Sequence, residues 1–239
     1  MKRLALIPAR GGSKRIKKKN IRNFLGKPII AYSIDIAIRS NLFDTVMVST
    51  DDSEIEKIAK NFGADVPFRR SSKNADDHAT TPDVIEEVLT SYINTGELYD
   101  QICCIYPTAP LISIESLREG EKILNQGRYD SVFPVVQYSY PIQRSLKFSN
   151  EEKIIMAWPE YLESRSQDLE NHYHDAGQFY WLKVKEFMKS KKVFSENASG
   201  IVLNELNVQD IDNLSDWEIA EFKYQFLNSG KAEKSFTQG

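Results

Sequence analysis

The 239-residue sequence is poor in cysteine, with only two, and has no apolar run near the roughly 18–20 residues a membrane-spanning helix needs. Both cysteines, Cys103 and Cys104, sit side by side in the run ICCIY. On a strand they point to opposite faces, so a bond between them would need unusual backbone geometry. They read as reduced cysteines of a core strand, which fits a cytoplasmic protein, and no CxxC pair suggests zinc. The amino terminus, MKRLALIPARGG, is too short in apolar residues for a signal peptide, because Pro8 and Arg10 end the run early. An excess of charge is also lacking: 31 Lys and Arg stand against 34 Asp and Glu, for a net charge of -3, which gives no overall reason to expect nucleic acid. The histidines, His78, His172 and His174, follow no metal-ligand spacing and no Ser/His/Asp order. Neither GxGxxG nor GxxxxGK[ST] occurs, and no repeat of fixed period is visible.

What is present is an ordinary globular composition, 41% hydrophobic and 27% charged, in a length that suits a single domain. Apolar strand runs at Arg3–Ala9, Thr45–Thr50, Gln101–Tyr106, Ser131–Val136 and Gly200–Asn204 alternate with helical patterns. The spacing predicts helices over Pro28–Arg39, Ser53–Asn61, Pro82–Ile93, Ile114–Asn125 and Asp216–Leu227. Ser53 can cap the second, with Glu54 and Glu56 in its first turn, and Pro82 stands at the start of the third. Alternation of this kind predicts an α/β domain with a mostly parallel sheet and helices on both faces. Residues 141–175 break the pattern and read as a small insertion of irregular structure and short strands. The polar tail from Asn228 to Gly239 reads as frayed.

The first strand runs into Pro8-Ala9-Arg10-Gly11-Gly12-Ser13-Lys14-Arg15-Ile16-Lys17-Lys18-Lys19-Asn20. In open α/β sheets, ligands bind beyond the carboxyl ends of the strands. Gly11 and Gly12 allow close backbone approach, and free N–H groups in such a turn make an anion-binding concavity. Arg10, Lys14, Arg15, Lys17, Lys18, Lys19 and Arg22 surround it with positive charge, as a triphosphate leaving water requires. A solvated basic loop has the same composition. A nucleic-acid arm fits less well, since no aromatics are interleaved and the overall balance is acidic.

IPARGGSK followed by KN resembles the amino-terminal signature of the CMP-sialic acid synthetases, and sides with the branch acting on nonulosonic acids such as pseudaminic acid. The later segments RSQDL (165–169) and YHDAGQFYW (173–181) resemble blocks of that branch, and the likeness runs in register from Leu4 to about Trp217. Lys17 stands where the family usually has proline, which adds charge near the phosphates. The resemblance implies a Rossmann-like three-layer nucleotidyltransferase that uses CTP and Mg²⁺ to make a CMP-sugar, works as a homodimer, and needs neither nucleic acid nor membrane. It places Arg10, Gly11, Gly12, Ser13, Lys14 and Lys19 on the triphosphate and Asn20 at base and ribose. Arg70 and Thr81 fall near the cytosine, and Pro107 and Thr108 in a strand-end turn between nucleotide and sugar. Tyr106 replaces the usual glutamine of that turn, at the sugar side. Arg165, Gln167, Tyr173, His174, Asp175 and Gln178 fall on the sugar, and residues 141–175 at a dimer contact. Asp210 and Asp212 match the metal-binding acids, and Arg10, Lys19 and Asp212 carry the catalytic roles.

Several of these assignments make chemical sense from the residues. If the chain stays extended, Asp210 and Asp212 project from one face and suit a hard cation that also takes phosphate oxygens; the other reading is a turn with one acid capping the last helix. Asp51 and Asp52 are rival acids whose simpler role is to begin the Ser53 helix. Arg165, Gln167, His174, Asp175 and Gln178 offer the mixed donors and acceptors that a carboxylated, hydroxylated sugar needs, with Tyr173, Phe179 and Tyr180 as apolar walls. Phe179–Trp181 also reads as a core strand entered from a polar loop. The expected acceptor is pseudaminic acid, with N-acylneuraminic or legionaminic acid as alternatives. A noncatalytic nucleotide-binding module and a glycosyltransferase consuming a sugar nucleotide are the rivals from other classes.

Overall fold

The structure is a computed structural model that describes residues 1–235, of which 230–235 are described as backbone only. Seven strands form one sheet: β1 (Arg3–Pro8), β4 (Thr45–Ser49), β5 (Gln101–Ile105), β6 (Ser131–Gln137), β9 (Tyr173–Asp175), β10 (Phe179–Lys183) and β11 (Ala198–Leu203). Their order is β11-β6-β10-β5-β1-β4, with β9 added alongside β6. β1 pairs in parallel with both β4 and β5, and β11 in parallel with β6. Only β9 and β10 run against the others. The chain thus moves to one side of β1 first and to the other side afterwards, which opens a crevice at the carboxyl end of β1.

Strand alternation builds the three layers. Ala5, Ile7, Cys103, Ile105, Phe179 and Trp181 face one side, against Ile30, Ile34 and Ala37 of α1 (Ile30–Ser40), Ile55 and Ala59 of α2 (Ser53–Asn61), and Leu117 and Leu124 of α4 (Ile114–Asn125). Leu4, Leu6, Ile102, Cys104, Tyr180 and Leu182 face the other, against Ile85, Val88 and Leu89 of α3 (Thr81–Asn94) and Phe187 of α5 (Val184–Ser190). Cys103 and Cys104 are accordingly free, buried, and on opposite faces. Burial pushes both thiols well above their ordinary range, so they stay protonated. No helix among the described residues is long and apolar enough to cross a membrane.

Several elements differ from their sequence expectation for local reasons. α1 begins at Ile30 rather than Pro28, because β2 (Asn23–Phe24) and β3 (Lys27–Pro28) form a tight hairpin first. Its two turn residues, Leu25 and Gly26, both have positive φ (45° and 101°), as a two-residue hairpin turn requires. α2 is capped by Asp52, whose side chain accepts from the N–H groups of Glu54 and Ile55, and not by Ser53. α3 opens on a capping box between Thr80 and Asp83, one residue before the expected Pro82. β10 is a central antiparallel strand, the core-strand reading of Phe179–Trp181, and α5 follows without a sequence expectation.

The closing helix α6 runs Leu214–Ser235, so the segment after Asn228 continues a helix as far as it is described, and 236–239 lie outside the described residues. Its first half seals a third apolar cluster, in which Phe24, Tyr32, Trp217 and Tyr224 meet edge to face. The segment 141–175 leaves the sheet after β6. It carries a separate hairpin, β7 (Leu146–Phe148) with β8 (Ile154–Met156), and short 3₁₀ turns, and it returns through β9. Several of its large apolar side chains are exposed, among them Leu146, Phe148, Ile154 and Leu162.

Candidate active site

The loop after β1 is held in place from three directions. Asn20 folds it back by donating from Nδ2 to the Arg10 carbonyl at 2.9 Å. The Gly11 N–H donates to Asp51 Oδ1 at 3.0 Å. Lys19 Nζ donates to the Ile211 carbonyl at 2.7 Å, which ties the loop to the turn before α6. Asp51 therefore does more than begin a helix: it anchors the loop, and its carbonyl accepts from Arg69 Nη2 at 2.5 Å.

A Cβ on Gly11 would stand 2.6 Å from Asp52 Oδ2 and 3.0 Å from Asp52 Cβ. Asp52 cannot simply swing away, because it caps α2. Gly11→Ala is expected to destabilise the fold by about 1–2 kcal/mol through loss of that cap. The urea unfolding midpoint of the variant checks it.

The loop forms one wall of a cavity of about 460 Å³ at the carboxyl ends of the central strands, lined by Arg10, Ser13, Lys14, Arg15, Lys19, Asn20, Arg70, Thr81, Tyr106, Pro107 and Thr108. Asn74, Asp76, Asp77 and Thr80 close the far side. Five cations face one space, with each cationic group held by an internal partner. Arg70, 7% exposed, donates to Ser49 Oγ (3.0 Å) and to the Ser49 carbonyl (2.6 Å). Arg15 pairs with Asp212 at 2.8 Å, and Arg10 and Lys14 both pair with Asp77. Lys19 is half-buried, and desolvation lowers its pKa against the partly compensating pull of Asp212 and Asp210. Such a group regains much when an anion enters.

Asp210 and Asp212 stand beside this wall. Asp216 accepts from the N–H groups of Asp212 and Asn213, while Asn213 Oδ1 accepts from the Asp216 N–H. This reciprocal pair caps α6, so neither Asp210 nor Asp212 spends its carboxylate on that task. Desolvation first, and the charge of Asp212 second, raise the pKa of Asp210. Among the described residues no group of three or more His, Cys, Asp or Glu side chains converges as a metal cluster. The donors present are two carboxylates beside a basic cavity, a set that suits a hard cation whose other ligands are phosphate oxygens and water.

The expected sugar residues are dispersed, and they do not form one continuous face. Tyr106 lines the cavity, and its hydroxyl lies 3.0 Å from Thr81 Oγ1. Behind it Tyr180 packs ring to ring at 5.4 Å and donates to Asp175 Oδ2 at 2.5 Å. Phe179 and Tyr180 belong to the core, because β10 is buried on both faces, so they are not open apolar walls. Gln178 is 1% exposed; its Nε2 donates to the Asn207 carbonyl at 2.7 Å, and its backbone carbonyl accepts the Tyr106 N–H.

His174 instead lines a second cavity of about 620 Å³, with Tyr138, Arg144, Ser166 and Glu205, at the base of the insertion. Gln167 lines a smaller recess there, and Tyr173 is exposed on β9. Arg165 lies on an exposed turn and pairs with Asp168 at 2.7 Å. None of these four lines the basic cavity, because the insertion carries them away from β1. Asp77 was not expected at the site; the acidic doublet Asp76-Asp77, separated from the Thr80 cap by His78 and Ala79, was its signal in the sequence.

Comparison with known proteins bears on this geometry. The cytidylyltransferase family model matches residues 4–193. A pseudaminic acid cytidylyltransferase of Campylobacter jejuni is 40% identical over 94% of this chain and 97% of its own length. A CMP-N,N'-diacetyllegionaminic acid synthase of Legionella pneumophila is 30% identical over 92% of this chain and 95% of its own. Among solved structures, a CMP:2-keto-3-deoxy-manno-octonic acid synthetase complexed with CTP superposes with a TM-score of 0.65 at 16% identity. It covers 92% of this chain and 97% of that one, a likeness of fold.

Proposed function

Because this chain belongs to the cytidylyltransferase family, we propose that it transfers CMP from CTP to pseudaminic acid, releasing pyrophosphate. The observation that carries the reading is the cavity at the end of β1, where Arg10, Lys14, Arg15, Lys19 and Arg70 face one space. A full-length relative at 40% identity bears the name of that activity, and this supports the choice of sugar.

In this reading the triphosphate lies along the loop from Arg10 to Lys19, and the base reaches toward Arg70 and Thr81. The acceptor enters on the side of Tyr106. Its anomeric hydroxyl gives its proton to water and attacks the α-phosphorus, the bond to the bridging oxygen of the β-phosphate breaks, and pyrophosphate leaves with its charge offset by Arg10 and Lys14 and a hydrogen bond from Ser13. The chain contributes positioning and charge neutralisation, which is most of what phosphoryl transfer asks of a protein. Asp210 and Asp212 would hold Mg²⁺, which when bound neutralises phosphate oxygens and draws charge toward the leaving group.

The exposed apolar residues of 141–175 are those a second copy of the chain would cover, and Arg165 and Gln167 would then serve a shared sugar site in a homodimer. The free, unpaired Cys103 and Cys104 fit a cytoplasmic enzyme.

The test is pyrophosphate release from CTP with pseudaminic, legionaminic and N-acetylneuraminic acids in parallel. The expected result is release that depends on sugar, with kcat/KM for pseudaminic acid higher by at least about tenfold, the scale set by a few differing polar contacts. Preference for legionaminic acid would favour the Legionella relative's substrate, whose name gives that second reading. CTP binding without release under any sugar would leave a noncatalytic binding module, and use of a preformed CMP-sugar would make it a glycosyltransferase.

A further inference from the structure

Arg10 and Lys14 project into the basic cavity and meet there the same carboxylate, that of Asp77. Arg10 Nη1 donates to Asp77 Oδ1 at 2.7 Å and to the Asp76 carbonyl at 2.8 Å, while Lys14 pairs with the other Asp77 oxygen. The contacts link a loop that follows β1 to one that precedes α3, more than sixty residues later. The acidic loop is itself fixed at both ends. Asp76 Oδ1 accepts from the N–H groups of His78 and Ala79, both at 2.8 Å, and Thr80, the next residue, enters the cap of α3. Asp77 stands between these anchors, so its backbone is fixed and its carboxylate is tethered within reach of the two cations.

We propose that Asp77 is an internal competitor for the phosphate-binding cations, which occupies Arg10 and Lys14 when no phosphate is bound and speeds the departure of pyrophosphate by retaking them. The inference rests on the reading of this cavity as the triphosphate site. Bound substrate and bound product place the same kind of group, a phosphate chain, on the same two side chains. A site tight enough to hold the triphosphate would retain pyrophosphate as well, unless something replaces it. A tethered carboxylate acts at a high effective concentration, so it replaces the leaving anion without diffusing to it. It carries a single charge against several on a phosphate chain, so CTP still displaces it on entry.

The clamp also explains why the acid is tolerated here. A carboxylate in a polyphosphate site repels the ligand unless it swings aside, and Asp77 is half-exposed, with room to do so.

The experiment measures binding of inorganic pyrophosphate and of CTP by calorimetry, with and without Mg²⁺, for the full chain and for Asp77→Asn and Asp77→Glu. Asp77→Asn keeps the shape and the hydrogen-bonding capacity and removes the charge; thermal melting verifies that it is folded. The expected result is that Asp77→Asn binds pyrophosphate about tenfold more tightly and CTP more tightly as well, the scale of one charge-assisted pair, whereas Asp77→Glu stays near the parent. In turnover assays Asp77→Asn is also expected to be inhibited by lower pyrophosphate concentrations. Unchanged or weaker pyrophosphate binding in folded Asp77→Asn, with CTP binding retained in the parent, would overturn the competitor role and leave Asp77 a scaffold for the loop. A parent chain that binds neither ligand would overturn the nucleotide reading and the competitor with it.

Discussion

Asp212→Asn is expected to abolish Mg²⁺-dependent turnover, with a loss of at least about two to three orders of magnitude in kcat, while the fold survives. An amide cannot replace a carboxylate's charge at a hard cation. The structure gives reasons to expect the fold to hold. Asp212 contributes its backbone N–H, not its side chain, to the cap of α6. Its pair with Arg15 joins side chains that are 68% and 44% exposed, a setting in which an ion pair contributes only about 0–1 kcal/mol.

Asp210→Asn should show a related kinetic defect with a melting temperature that is unchanged or higher. Its carboxyl pKa is raised by desolvation and by Asp212. The folded state therefore holds the proton more tightly than the unfolded chain, and the ionised group opposes folding at neutral pH. Removing that charge relieves the fold. By the same sign, the contribution of this carboxyl to the stability of the metal-free protein is lost as pH rises through its raised pKa, which thermal melts across pH measure. Asp51→Asn, which alters the anchor of Gly11 and not the acid pair, should lose much less activity. A Mg²⁺ titration of pyrophosphate release, run beside thermal melts, measures all three variants. Parent-like Mg²⁺ dependence in Asp212→Asn would remove the acids from the metal role.

Lys19→Ala is the second large effect: kcat/KM for CTP is expected to fall by about 30- to 900-fold, the equivalent of roughly 2–4 kcal/mol for a charged donor lost from a transition state. Two features place Lys19 above its neighbours. Desolvation has already lowered its pKa, so its charge is held at the site at some expense and is regained on an incoming phosphate. Its Nζ also bonds the Ile211 carbonyl, between Asp210 and Asp212, so one side chain aligns the loop with the acids. Arg10→Ala should be weaker, because Arg10 is already engaged by Asp77 and its loss also frees that competitor. Steady-state kinetics with CTP varied at saturating sugar check both. Parent-like kcat/KM in folded Lys19→Ala would overturn the loop assignment.

The layers of the fold were legible because strand and helix periods are written in consecutive residues. ALI near the start, ICCIY and SVFPVV mark buried strands, and the boundaries of α2 and α4 coincide with the expected helices. Local contests decided the misplaced ends. A two-residue hairpin turn at Leu25-Gly26 delayed α1, and Asp52 outcompeted Ser53 as a cap. β10 was harder to read, since its surroundings look polar: a strand buried on both faces carries no alternation to distinguish it from other apolar runs.

The basic loop and the acid pair were visible as composition and spacing, and the sequence by itself determined the α/β class and the position of a basic loop after the first strand. Those depend on neighbours along the chain, whose charges and periods no fold can rearrange. Tertiary structure alone decided which charges meet. It joined Lys19 to Ile211 across 192 residues, set Asp77 against Arg10, released Asp210 and Asp212 from capping by assigning that task to Asn213 and Asp216, and divided Arg165–Trp181 between an exposed insertion and the core. The physical reason is that these pairings follow from the closure of loops between strands that are adjacent in the sheet but distant in the chain, and sequence spacing holds no record of that adjacency.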